Sequence, residues 1–116
     1  MSSWKFYHNP NCSKSREALA FLESEAVAVQ IVDYIQKPLR KEEIQEMISQ
    51  LEGPLSMLVR TKDADFTAAP FDVNSPEEIA TRLSERPHLM ERPILWGNGK
   101  ATIGRPLDNI KALLKK

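Results

Sequence analysis

Gly97-Asn98-Gly99 separates two short apolar runs, Pro93–Trp96 and Ala101–Ile103. Asn-Gly between such runs is a strong hairpin signal, because the tight turns that match strand twist need positive φ at their central residues. The end of the chain therefore supplies two antiparallel strands. The beginning calls for the opposite arrangement. Trp4–Tyr7 reads as a strand, and Ser13–Glu23 as a helix with Ala18, Leu19, Phe21 and Leu22 on a usable face. Val27, Val29 and Ile31 alternate with Ala28, Gln30 and Val32 in a second strand that ends near Tyr34. A strand-helix-strand unit gives a parallel pair. A chain of 116 residues builds one modest core, so both pairs belong to one mixed sheet of about four strands.

The middle of the chain is helical. Lys37-Pro38 breaks the second strand. Arg40–Leu51 places Ile44, Met47, Ile48 and Leu51 on one side, and Gly53 with Pro54 stops it. Leu55–Arg60 predicts a short helix, whereas residues 61–74 are weakly periodic and read as a loop. Ser75-Pro76-Glu77-Glu78 opens a further helix, with Ser75 as N-cap, Pro76 in the first turn and Glu78 at the capping-box position. Ile79 and Leu83 form its apolar side before Arg86-Pro87 ends it, and Leu107–Leu114 is a last amphipathic helix. The order β-α-β, helical block, β-β-α is the layout of α/β thioredoxin-like folds. The block at about residues 40–90 is then an insertion in a single domain spanning residues 1–116, without repeat, linker or low-complexity stretch.

Charge narrows the function classes. Lys and Arg number 16 and so do Asp and Glu, which gives no support for nucleic-acid or membrane binding. No stretch approaches the ~20 apolar residues of a membrane helix, and the N-terminus lacks a signal-peptide pattern. One cysteine excludes a disulfide framework and points to a reducing compartment. A cytoplasmic monomer is the expectation.

That cysteine, Cys12, lies in Tyr7-His8-Asn9-Pro10-Asn11-Cys12-Ser13-Lys14-Ser15-Arg16, between the first strand and the first helix. Unpaired N–H groups at a helix start favour the thiolate, as would Lys14, Arg16 and a protonated His8. The N–H groups of Ser13 to Arg16 could cradle an anion. The competing reading is a small buried hydrophobe. Cys12-Ser13-Lys14-Ser15 is also a redox CxxC pattern with a hydroxyl in place of the second thiol. Arg60 follows a short apolar helix, while Arg92 and Arg105 precede Pro93 and Pro106, which hold them extended. A guanidinium fork suits a tetrahedral oxyanion; solvated arginines at strand ends are the alternative.

Taken together, His8-Asn9-Pro10-x-Cys12, Ser15-Arg16, Leu89-Met90-Glu91-Arg92-Pro93-Ile94 and Ile103-Gly104-Arg105-Pro106 resemble the glutaredoxin-dependent arsenate reductase family, from about Trp4 to Leu114. The resemblance implies a thioredoxin-like fold and reduction of arsenate to arsenite. It implies that Cys12 attacks arsenate, that Arg60, Arg92 and Arg105 bind the oxyanion with Ser15 and Arg16 beside them, and that His8 lowers the thiol pKa. It further implies glutathione as external reductant, glutaredoxin as resolving partner, a cis Arg92-Pro93 peptide, and no bound cofactor or metal. The chain ends soon after its last helix and has Ser13-Lys14 where the longer plasmid-type members have Gly-Thr, which matches the shorter members. The family also contains redox-sensing regulators that bind RNA polymerase, typically through CxxC; with Ser15 in the second position, disulfide sensing within this chain is excluded. A glutathione-linked oxidoreductase and a non-enzymatic binding protein of the same family are the rival readings.

Overall fold

The computed structural model describes residues 4–115. Trp4–Tyr7 (β1), Val29–Val32 (β2), Ile94–Gly97 (β3) and Lys100–Ile103 (β4) form a sheet in the order β2-β1-β3-β4. β1 runs parallel to β2 and antiparallel to β3, and β3 and β4 are the antiparallel hairpin. Its turn is Asn98-Gly99, with φ of 52° and 78°, the positive values that Asn-Gly adopts at low cost.

Two helical layers cover the sheet. Ser13–Ser24 (α1) and Asp108–Leu114 (α5) lie on one face, Lys41–Gln50 (α2) and Pro76–Glu85 (α4) on the other. Strand pairing sorts the side chains between them. Phe6 is opposite Leu95, and both pack with Ala18, Leu22, Ile110 and Leu113. Tyr7 is opposite Ile94 and Ile94 opposite Ile103, and these pack with Ile44, Met47, Ile79 and Leu83. A strand covered on both faces has no polar side to present, which accounts for the unbroken run Ile94-Leu95-Trp96.

Between β2 and β3 the chain adds α2, a 3-10 turn at Leu55–Leu58, a five-residue helix Ala64–Ala68 (α3), α4 and a 3-10 turn at Pro87–Leu89. α3 corrects the loop expected over 61–74. Asp63 caps it by accepting from the Asp65 N–H at 2.9 Å, yet no α3 residue is buried. A helix this short leaves no apolar period to read. The Ser75 cap is present, its Oγ accepting from the Glu78 N–H at 3.2 Å. β2 is shorter than its alternation suggested, because Val27 and Ala28 lie in the turn that leaves α1.

Two features set up the site. Leu58–Arg60 pairs antiparallel with Leu89–Glu91 through Arg60 N–H to Leu89 O at 2.8 Å and Glu91 N–H to Leu58 O at 2.7 Å. Gly104 donates to the Pro93 carbonyl at 2.8 Å, and a Cβ on it would stand 2.9 Å from Pro93 Cγ and 2.6 Å from Ile110 Cδ1. A side chain at this position would press on the Pro93 ring and the Ile110 side chain. The Arg92-Pro93 and Arg105-Pro106 peptides are both cis.

Candidate active site at the start of the first helix

β1 delivers the chain into a tight turn before α1. The Cys12 N–H donates to the Asn9 carbonyl at 3.0 Å, and the Asn11 N–H to Asn9 Oδ1 at 2.9 Å. Arg16 reaches back from α1 and donates to the Pro10 carbonyl at 2.8 Å. Ser15, fully buried, joins turn to helix: its Oγ accepts from the Asn9 N–H at 3.0 Å and bonds His8 Nδ1 at 2.7 Å. Cys12 is thereby fixed as the N-cap, with extended φ and ψ of −104° and 121°. Its carbonyl accepts the first helical hydrogen bond, from the Arg16 N–H at 3.0 Å.

The thiol is 7% exposed. Burial is the largest influence on it and opposes the anion; the Ser15 N–H, the Arg92 side chain, the Arg105 charge and the Lys14 N–H together outweigh burial and lower its pKa. The two N–H groups hold the N2 and N3 places that an N-cap side chain addresses. They favour the anion without closing a full cap hydrogen bond. Arg105 Nη2 donates to Sγ at 3.0 Å, and the Arg92 side chain is a second hydrogen-bonding partner of the sulfur. His8 is not among the principal causes. Burial, the largest influence on it, and the Arg16 charge lower its own pKa against the opposing pull of Asp33. The imidazole is biased to the neutral form, and the groups that act most on the thiol are backbone donors and two guanidiniums. His8 instead belongs to the Ser15 bond and stacks on Phe6 with ring centroids 5.5 Å apart.

The arginines are ordered around Glu91, which sequence reasoning quoted without a role. Arg105 Nε donates to the Arg92 carbonyl at 2.7 Å and lies 3.5 Å from Glu91 Oε1. The same oxygen accepts from the Arg92 N–H at 3.1 Å and lies 3.9 Å from Arg60 Nε. Arg60 also faces Asp63, with Nη1 3.4 Å from Oδ2. Arg92 and Arg105 thus act on Cys12, while Arg60 joins them one carboxylate away. Arg16, expected beside the substrate, is engaged by the Pro10 carbonyl.

Tyr34 was passed over as the end of a strand. It is fully buried, and the charges acting on its phenol are those of Arg92, Cys12, Arg60 and Glu91. An aromatic with a polar tip, two residues past a strand parallel to β1, was the available signal. Farther out, Asp63, Asp65 and His88 bring metal-ligand atoms within 4.8 Å of one another. Asp63 already caps α3 and faces Arg60, and His88 bonds Asp65, so that group is complete as an ion-pair cluster. No described helix is long and apolar enough to cross a membrane.

Residues 7–113 match the ArsC family. An arsenate reductase of Neisseria meningitidis is 39% identical over 98% of this chain and 100% of its own length. The global transcriptional regulator Spx of Streptococcus agalactiae is 31% identical over 93% of this chain and 80% of its own. A solved arsenate reductase from Vibrio cholerae superposes with a TM-score of 0.83 at 32% identity, covering 95% of this chain and 97% of that one. The α/β architecture is thioredoxin-like.

Proposed function

Because the chain belongs to the ArsC family, we propose that it reduces arsenate to arsenite through a covalent adduct on Cys12. Glutathione supplies the reducing thiol and glutaredoxin clears the resulting disulfide. The observation that carries this reading is the 3.0 Å bond from Arg105 Nη2 to Cys12 Sγ, with Arg92 beside it. A thiolate is the nucleophilic form of cysteine, and a guanidinium fork that touches it can share a second oxyanion acceptor.

The steps balance as follows. The Cys12 thiolate forms a bond to arsenic, and one arsenate oxygen leaves as water after protonation. The thiolate of glutathione then attacks Cys12 Sγ. A sulfur–sulfur bond forms, the sulfur–arsenic bond breaks, and its electron pair passes to arsenic, which leaves as arsenite. The mixed disulfide on Cys12 is exchanged onto a glutaredoxin thiol. No second cysteine in the chain competes for it. Lys14, Lys111 and Arg105, together with Glu17 and Asp108, line a depression beside the start of α1, whose mixed charges suit both the carboxylates and the amine of glutathione.

The test is arsenite formation with arsenate, glutathione and glutaredoxin. Wild-type protein is expected to turn over and Cys12→Ser to be inactive; turnover by Cys12→Ser would sink the mechanism. A regulatory binding role is the second reading, favoured by the likeness to Spx. It has no need of a lowered Cys12 pKa, so ultraviolet titration of the thiolate separates the two. An inflection at the free-thiol value of about 8.5 would favour the regulator.

A further inference from the structure

Two buried polar atoms among the described residues have no hydrogen-bond partner: the hydroxyl of Tyr34 and Nε of Arg92. Buried polar groups are nearly always paired, so an orphan calls for an explanation. These two belong to one place. Arg92 exerts the strongest charge effect on the Tyr34 phenol, followed by Cys12. The backbone explains the meeting. The His8 N–H donates to the Val32 carbonyl at 3.0 Å, so the exits of β1 and β2 lie side by side. One exit leads to Cys12 and the other to Tyr34.

Tyr34 also looks unlike a tyrosine placed only to fill the core. Its ring packs in the cluster around Ile94 and Met90, a role phenylalanine would fill without leaving a hydroxyl unpaired. Burial pushes the phenol up to about 12, so it remains a neutral donor at any pH where the thiol reacts. Arginine can only donate. Both unpartnered donors lie within the electrostatic reach of Cys12 and have no acceptor among the described residues, and each oxygen of a tetrahedral anion is one.

We infer that Tyr34 is a substrate-binding residue, its hydroxyl donating, with Arg92 Nε, to an inward oxygen of the oxyanion held against Cys12. The inference rests on the oxyanion reading above and adds to it a neutral donor on the floor of the site. Such a donor keeps its hydrogen bond whatever the charge state of the anion, whereas the guanidiniums favour the more highly charged forms.

The experiment is protection of Cys12 from iodoacetamide by inorganic arsenate, without glutathione, in wild-type protein and Tyr34→Phe. A hydrogen bond to a charged group sets the scale: the half-protecting arsenate concentration is expected to rise about tenfold to a hundredfold in Tyr34→Phe. The alkylation rate without arsenate should not change, because Tyr34 makes no bond to Sγ. In wild-type protein carrying carbon-labelled tyrosine, the Tyr34 Cζ resonance is expected to move on adding arsenate. Equal half-protecting concentrations, or a Tyr34 resonance that ignores arsenate while Cys12 is protected, would overturn the role of Tyr34 alone. A wild-type Cys12 that arsenate fails to protect would overturn the oxyanion reading and this inference with it.

Discussion

The site has two halves of different origin. Residues 8–16 form one, a single turn and helix start whose side-chain bonds within the segment span at most seven positions. The other is gathered from Arg60, Glu91, Arg92 and Arg105 on three distant segments, and it reaches the first through a bond between residues 93 positions apart. The local half fixes where the sulfur stands. The distant half fixes much of its charge state and supplies the guanidiniums that would receive an anion. Placement is thus a property of local geometry, whereas reactivity draws on both the local N–H donors and the guanidiniums that the completed fold brings.

Arg105→Lys strikes the distant half hardest. Lysine keeps a charge but cannot hold the Arg92 carbonyl, Glu91 and Sγ with one planar fork. Loss of one such donor lowers turnover by about a hundredfold to a thousandfold, and the thiol pKa should rise toward its ordinary value. Arg60→Ala is the internal control: it should weaken arsenate binding and leave the thiol titration in place. A Cys12 pKa that moves equally in both variants would dissolve the distinction between the two arginines.

Ser15→Ala strikes the local half. It removes the oxygen shared by His8 and the Asn9 N–H at a fully buried position. Leaving those groups unpaired costs about 1–3 kcal/mol, measurable by urea denaturation. The Cys12 pKa should shift less than in Arg105→Lys; a larger shift would move control of reactivity to the turn.

The smallest effect concerns His8. Its folded pKa lies below the unfolded value of about 6.5. As pH falls through that value the unfolded chain takes up a proton that the folded chain resists, so stability declines with falling pH. His8→Asn should flatten that decline as pH falls from neutral through about 6.5. An unchanged slope would show that His8 meets no penalty on charging.

The same division explains what could be read before the structure. The hairpin at Asn98-Gly99, the parallel pair around α1 and the cap at Ser75 each follow from residues a few positions apart, and the structure contains all three. Cys12 at a helix start is equally local. α3 was missed because a five-residue helix with one large apolar side chain, the partly buried Phe66, shows no period. In the site, the Arg-Pro pairs marked Arg92 and Arg105 as held in place, but spacing could not aim them. The difference between Arg105 and Arg60 depends on a bridge between Val59 and Met90, which no local pattern announces. Glu91 and Tyr34 acquire meaning only from neighbours brought by the sheet.

Gly104 ties these threads to the life of the chain. A Cβ on Gly104 would meet the Pro93 ring and the Ile110 side chain, so the second Arg-Pro segment and the last helix share one close-packed contact. A chain still being synthesised, or one with its C-terminal end loosened, has Cys12 but lacks the Arg105 guanidinium that favours its anion. Its sulfur then has fewer groups to offset burial, and less of it is thiolate. Part of the nucleophile's activation thus arrives only with the chain's final segment.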